Sequence, residues 1–525
     1  MNRIVLLIET IMYMNFKQFS FQILSRIRTT WNKTFNKRRR FNLYKEGAAV
    51  SLDRVIPKFE SCKGDMMTFI NVTDAFSGWE NRTQSALWNF NLNYMDFLLQ
   101  PSMNVHEGKK WIMRFIESQH CNNTGVASYC VSLRCVNWIK FVSFNITEFS
   151  EEEKRTVDAS LYSQYRLLAS NIEYHLGGNH LLEDFFALVW LSVYFKDAKM
   201  YRKSSGLLMK ELKKQTLADG ANFEQSPMYH CIILERQLDL INLLKNNDIL
   251  SQQIILYTFL SELVSKMLGW IKSISYSDGS YPLFNDSANC IAPSLDDIYD
   301  YASLLGVEAS NMDLKESGYR AVNTRKYELR IDIANVKASY IPGHTHADTF
   351  NFEMRIGAEP FIIDTGISTY DVCERRLYER STSAHNTVVV NDSNSSGVWS
   401  SFRCGRRAKV FDVSEGENYI TASHDGYKKQ GVVHTRRFEW SDSCVVIYDY
   451  ISGNACSTAM LHFAKDVDIS IKENVVFTSK GIIELEGHEF IEISDGYSSE
   501  AYNEFNECKI LSVRFKERLV TKIVL

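Results

Sequence analysis

Residues 340–356 read Tyr-Ile-Pro-Gly-His-Thr-His-Ala-Asp-Thr-Phe-Asn-Phe-Glu-Met-Arg-Ile. Phe350, Phe352, Met354 and Ile356 are apolar, and Asn351, Glu353 and Arg355 between them are polar. A period of two is that of a strand with one buried face. Carried back to the Pro342-Gly343 turn, that period puts His344, His346 and Asp348 on one side. Such a row suits proton transfer or metal ligation; a merely polar strand end is the alternative. Asp364, in Ile-Ile-Asp-Thr-Gly, and His385, before Val388-Val389-Val390, are likewise single polar residues at the edges of strand-like runs.

Downstream of Tyr327 the same kind of run recurs, for instance at 419–423, 432–438, 444–450, 460–463 and 511–515. Short alternating runs about ten residues apart, with Gly, Asn and Asp turns, predict an antiparallel β-sandwich. Upstream the period changes. From Trp88 to Ile274 the apolar residues follow helical spacing in segments of roughly 15 residues joined by short polar links. The predicted fold class is therefore α+β and multidomain: helical hairpins first, strands second. The predicted division is a basic, irregular segment over 1–80, a helical domain over 81–315 and a β-sandwich domain over 316–525. Ligands usually bind in clefts between such units.

A net charge of -4 excludes the strongly basic surface of most nucleic-acid binders. Eleven cysteines without close pairs argue against a disulfide framework or a zinc ribbon. Ile4–Met14 is apolar but interrupted by Glu9 and Thr10, too short to span a bilayer, and followed by Lys17, Arg26 and Arg28 rather than a cleavage site. With the basic run Lys37-Arg38-Arg39-Arg40, this end reads as a solvated charged segment, with attraction to acidic lipid or glycan as the alternative. On sequence grounds the location is a reducing, cytoplasmic one. The oligomeric state is left open.

Three polar pieces interrupt the helical half. Gly177-Gly178-Asn179-His180-Leu181-Leu182-Glu183 predicts a helix start capped by Asn179, with His180 and Glu183 on one face. Glu224-Gln225-Ser226-Pro227-Met228-Tyr229-His230 predicts a second helix start, with Ser226 as cap and Tyr229 and His230 in its first turn. Asp278 to Asp286, including Asn285, is a turn-rich loop predicted to wall a cleft. In the strand half Arg375, Arg376 and Arg380 are either surface cations or forks for carboxylate or sulfate groups.

In order along the chain, Asn-His-Leu-Leu-Glu (179–183), Glu-Gln-Ser-Pro-Met-Tyr-His (224–230), Pro-Gly-His-Thr-His-Ala-Asp (342–348), Ile-Asp-Thr-Gly (363–366) and Arg-Ser-Thr-Ser-Ala-His-Asn-Thr (380–387) resemble the heparinase II/III family of polysaccharide lyases. The resemblance implies an incomplete (α/α) toroid followed by antiparallel β-sheets. It implies β-elimination on an acidic, uronate-containing glycan, in a setting such as bacterial surface-polysaccharide metabolism, and a periplasmic location. It implies Tyr229 and His344 as acid and base in an unassigned order, and Asn179 and His180 as neutralisers of the substrate carboxylate with Glu183 orienting. Glu224, His230, Asn285, Arg376 and Arg380 would line the substrate site. His346, Asp364 and His385 would hold a structural zinc, with no organic cofactor. Two other functions remain open: a glycoside hydrolase using Glu183 and Glu224, and a non-catalytic glycan-binding or assembly protein that keeps the fold.

Overall fold

The computed structural model describes residues 3–14, 18, 20–24 and 43–525. The basic run 37–40, with Lys17, Arg26 and Arg28, lies outside the described residues. The helical half begins with Ala86–Tyr94 and Val105–Ser118 and continues through Ser128–Phe144, Glu151–Ser170, Gly178–Tyr194, Ala198–Gln215, Pro227–Asn246, Gln253–Ile274 and Leu295–Leu305. The heaviest packing is between Gly178–Tyr194 and Ala198–Gln215 and between Pro227–Asn246 and Gln253–Ile274, other contacts skip one helix, as Ser128–Phe144 does to meet Gly178–Tyr194, and these two middle helices are buried on nearly every face. Local chemistry fixes their ends. Ser150 and Glu153 form a reciprocal capping box, Ser226 caps Tyr229 N–H ahead of Pro227 at the first helical position, and Gly306 (φ 79°) closes the last helix. The fully buried Trp88, Trp138, Trp190 and Trp270 share this core, and each large apolar side chain so buried contributes about 2 kcal/mol. The region read as irregular before residue 80 carries a three-stranded meander, Cys62–Lys63, Met66–Phe69 and Val72–Ala75, whose Phe69 meets Trp88 edge-on. The helix Gln253–Ile274 is long and apolar enough to cross a bilayer, but its Leu256, Leu260, Val264, Met267 and Ile271 are packed into the helical core.

The strand half is built on one connected antiparallel sheet of 14 strands, with the hairpin Val398–Cys404 apart from it. Its spine is Asn506–Val524, which pairs with Ile482–Ser498 along one edge. On its other edge it pairs first with Ser457–Phe463 and then with Cys444–Ile451. From there the path runs one way to the strand Val410–Gly416 and the other way to Tyr319–Asn323. These two ends come back together: Arg320 Nε lies 2.8 Å from Glu415 Oε2, and Asn335 exchanges two hydrogen bonds with the backbone of Val410. The sheet thus curls round its own apolar core, giving the layers of a sandwich from one continuous ladder.

The two halves are not separable balls. Tyr319, Ile367 and Tyr502 of the strand half belong to the helical core. Arg330 on the fully buried strand Tyr327–Asp332 donates to the carbonyls of Ile274 and Ser275 at a helix C-terminus. One sequence expectation fails here. Residues 340–349 are not strand; Phe352–Ile356 is the strand. Phe350 takes a left-handed φ of 72°, which breaks the alternation before it reaches the histidines. The run 336–340 is likewise irregular.

Candidate active site

Two helix starts and two loops meet at the seam. Tyr229 hangs from the first turn of Pro227–Asn246, fixed by the Ser226 cap. Its ring lies 4.0 Å, centroid to centroid, from the imidazole of His344, which belongs to the strand half. His344 Nδ1 donates to Asp286 Oδ2 over 2.8 Å, and Nε2 points toward Glu224 Oε2 at 3.6 Å. Its side chain is 11% exposed. The Tyr229 hydroxyl meets that of Tyr370 at 3.1 Å. Burial pushes the Tyr229 phenol well above its ordinary pKa, so it carries its proton.

Asp286 is the hub. Both its oxygens are bound by the Arg376 guanidinium, at 2.6 and 2.7 Å, and it also accepts from His344 Nδ1 and His346 Nε2. Burial alone would raise its pKa. The Arg376 charge and the two imidazole donors outweigh burial and hold it well below 3.8, so the carboxylate is ionised. An ionised Asp286 fixes the His344 tautomer with its proton on Nδ1 and the lone pair on Nε2. The loop that presents both histidines is pinned from behind by Arg380, whose nitrogens donate to the carbonyls of Thr345, Ser400 and Arg403.

On the helical wall, Gly177 rather than Asn179 is the N-cap of Gly178–Tyr194. Asn179 lies in the first turn, where its backbone N–H donates to Glu224 Oε1, so the helix N-terminus already holds a carboxylate. A side chain at Gly178 would meet that oxygen at 2.6 Å, and one at Gly177 would meet Ile341 at 2.3 Å. His180 stacks on Tyr129 and is bonded through Nδ1 to Glu173, while about a third of its side chain remains exposed. Glu183 does not orient it. Glu183 is buried and paired with Arg236 at 3.1 Å, within an ion-pair network reaching Glu235 and Lys58.

Several residues expected to line the substrate site are structural instead. His230 is wholly buried; it accepts from Asn222 N–H and donates to the Met267 carbonyl. Asn285 (φ 56°) is consumed by Gln225, Tyr319 and His346 N–H. Arg376 and Arg380 are fully buried, not cationic forks in solvent. Glu224 is buried, with Oε2 lacking a hydrogen bond, and burial pushes its pKa up. The glutamate pair of the hydrolase alternative is thus taken up by the framework, and that alternative is not favoured.

His346, Asp364 and His385 lie together beneath this layer. The His346 and His385 rings are 5.3 Å apart, and His385 Nδ1 is 2.9 Å from Asp364 Oδ2. His346 Nδ1 and His385 Nε2 are buried without hydrogen-bond partners. Among the described residues, no group of three or more His, Cys, Asp or Glu side chains is arranged as a metal site. Asp286, Tyr370, Arg236 and Glu173 were not singled out from the sequence. A surface hollow of about 1010 Å³ lies elsewhere, lined among others by Tyr44, Glu117, Glu151, Glu152 and Arg155; its acidic rim does not suit an acidic glycan.

Comparison with known proteins places the fold. A heparin-sulfate lyase of Bacteroides stercoris is 22% identical over 324 residues, covering 55% of this chain and 46% of that protein. A heparin-sulfate lyase of Pedobacter heparinus is 26% identical over 247 residues, covering 41% and 36%. The chain is thus matched over less than half the length of these relatives. In three dimensions a heparinase III crystal structure superposes with a TM-score of 0.65 at 17% identity, covering 85% of this chain and 79% of that one. A variant of the heparan sulfate lyase of Pedobacter heparinus superposes at 0.60 and 16% identity, covering 94% and 86%. These establish a shared fold. Residues 107–307 match the heparinase II/III N-terminus profile and residues 308–524 the heparinase II/III-like C-terminal profile, in order and across both walls of the seam, and the chain belongs to the heparinase II/III-like family.

Proposed function

We propose that this protein is a polysaccharide lyase that cleaves an acidic, uronate-bearing glycan by β-elimination. The observation that carries the reading is the meeting of Tyr229 and His344, one from each half, with rings 4.0 Å apart at the seam. His344 Nε2 removes the proton at C5, α to the carboxylate. The electron pair forms the C4=C5 double bond, and the C4–O bond breaks. Tyr229, which holds its proton, protonates the leaving oxygen. General acid and general base contributions of this kind are each worth about 10²–10⁴ in rate. The C5 carbanion is tolerable only if the uronate carboxylate is neutralised, the role assigned to the Asn179 amide and the exposed edge of His180. The names of the relatives point to a heparan-type glycan.

The donor set at His346, Asp364 and His385 fits zinc: two imidazoles and a carboxylate, with buried imidazole nitrogens left unpartnered. Zinc there would supply cohesion between three chain segments, and Asp286 would orient His346 from the outer side. No step of the elimination runs through it. Metal analysis should find about one zinc per chain. Loss of the metal in His346→Ala, with a lowered melting temperature, supports the site; metal-free protein indifferent to chelator removes it.

The activity is tested by incubating the full chain with a panel of uronate polysaccharides and following ultraviolet absorbance. New absorbing ends that vanish with Tyr229→Phe support elimination. New reducing ends without absorbance would mean hydrolysis and overturn the reading.

A further inference from the structure

Arg407 is a buried charge without an acceptor. It is 6% exposed, and its Nε and both terminal nitrogens are buried with no hydrogen bond. Burial pulls its pKa down, and the neighbours that offset this in part are the Cys404 thiol and Tyr13, not a carboxylate. A guanidinium taken out of water without an acceptor destabilises the fold that holds it. Other buried arginines of the strand half meet this cost. Arg376 grips Asp286, and Arg436 grips Asp449 through Nε and Nη2. Arg380 donates to the carbonyls of Thr345, Ser400 and Arg403. Of these four, Arg407 alone has all three nitrogens idle.

Its surroundings are cationic. Arg407, Arg380 and Arg406 all bear on the buried Cys404 thiol. Arg406 donates to the carbonyls of Ser395 and Gly426 and keeps its Nε idle. Glu9, which accepts from Arg406 N–H, is already paired with Lys429 at 2.5 Å.

One side chain covers the site. Tyr13 directly follows the helix Arg3–Met12, and its ring centroid is 3.6 Å from the Arg407 guanidinium carbon. Attraction between a cation and an aromatic face offsets part of the cost of burial. The ring supplies no acceptor in the plane of the fork, where the guanidinium donors point. Tyr13 is itself 37% exposed, so one face covers the guanidinium while the rest meets water. The helix behind it is fastened by Glu9 and by Thr10, which accepts from the Trp399 indole N–H.

We propose that Arg407, with Tyr13 as a displaceable cover, is a binding site for an oxyanion, a sulfate or carboxylate group that takes the idle donors of the guanidinium. Both groups match the fork of an arginine. On the lyase reading, on which this assignment of the ligand rests, the group belongs to the glycan. Phe402, at the turn of the hairpin Val398–Cys404, lies 6.0 Å from the His344 ring. Arg407 is five residues beyond Phe402, no more than about 18 Å along the chain. That places it a few sugars along the strand wall from the bond that breaks.

The test is the melting temperature of the full chain in sodium sulfate against sodium chloride at matched ionic strength. Sulfate stabilises proteins generally, so the readout is the saturable part of the rise. The wild type should show one, and Arg407→Met should lose it. Tyr13→Ala should reach half-saturation at a lower sulfate concentration than the wild type, since no ring has to move. If Arg407→Met fails to fold, Arg407→Lys, which keeps the charge and loses the fork, should weaken sulfate binding about tenfold. Sodium acetate in place of sulfate distinguishes a carboxylate site from a sulfate one. No saturable effect of either anion on the wild type, or one of wild-type strength in a folded Arg407 variant, overturns the proposal. On a glycan that the chain cleaves, Arg407→Met should raise KM about tenfold and leave kcat unchanged. An unchanged KM with sulfate binding lost would make the ligand a free anion and overturn its assignment to the glycan. A chain that cleaves no glycan would sink the lyase reading and leave the sulfate result standing.

Discussion

Tyr229 and Asn179 hang from the first turns of two long helices, whereas His344 sits in a loop without regular structure, held by Asp286, Arg376 and Arg380. On the helical wall the backbone itself is the positioning device, and the reactive side chains are spare. The Tyr229 hydroxyl bonds another hydroxyl, its ring lies against an imidazole, and His180 keeps one edge open. On the strand wall each reactive group is positioned by buried charges that also hold the loop. Function and stability should therefore separate on the first wall and coincide on the second.

The strongest way to break that comparison is to divide the molecule. Residues 1–315 and 320–525, made separately, should each be inactive on any substrate the whole chain cleaves, since neither holds both Tyr229 and His344. Turnover by either half would end the shared-seam account. Next comes Asp286→Ala. It leaves Arg376 buried without its carboxylate, which should cost about 3–5 kcal/mol of unfolding free energy in a denaturant titration as well as abolish turnover. A stable, inactive Asp286→Ala protein would put the strand wall on the same plan as the helical one. Tyr229→Phe should lower kcat by about 10²–10⁴ with stability nearly unchanged, because one hydroxyl contact is lost. Asn179→Ala should likewise lose turnover without a shift in melting temperature.

The smallest effect concerns pH. Burial pushes the Glu353 carboxyl from 4.5 to about 7, against hydrogen bonds from Tyr276 and the Leu283 N–H. The folded chain keeps a proton that the unfolded chain releases, so stability is fullest below pH 4.5 and is lost as pH rises toward 7, by something on the order of 1–3 kcal/mol. Glu353→Gln should flatten that slope in melting curves taken at pH 5 and 8. Asp286 has the opposite sign: its folded pKa lies below 3.8, so its contribution is present above that value and disappears as pH falls through the folded pKa.

What the sequence disclosed follows the same division. Ser226-Pro227 set the helix register and hence the place of Tyr229 without knowledge of any other part of the chain. His230 was misread because the next residue on a helix is turned by about 100°, here into the core under Met267. Asp286 escaped notice because its partners lie 58, 60 and 90 residues away, two in a loop and the third on the short helix Glu374–Glu379, with no period to betray them. Arg376 and Arg380 read as solvent cations for the same reason: only the buried carboxylate and carbonyls they meet show that they point inward. The curl of the sheet, sealed by Arg320 and Glu415, was equally invisible.

The strand Asn506–Val524 has a consequence for how the protein comes into being. It is the last strand of its sheet to leave the ribosome, yet three earlier segments, 444–450, 457–463 and 482–498, all wait for it as a pairing partner. The helices, which pack on near neighbours in sequence, can be in place well before. During synthesis the nascent chain thus carries a finished helical half beside strands with open edges, the state most prone to pair with a neighbouring copy. Slow translation over residues 499–524 prolongs that exposure, and holdase chaperones should engage this protein at that moment.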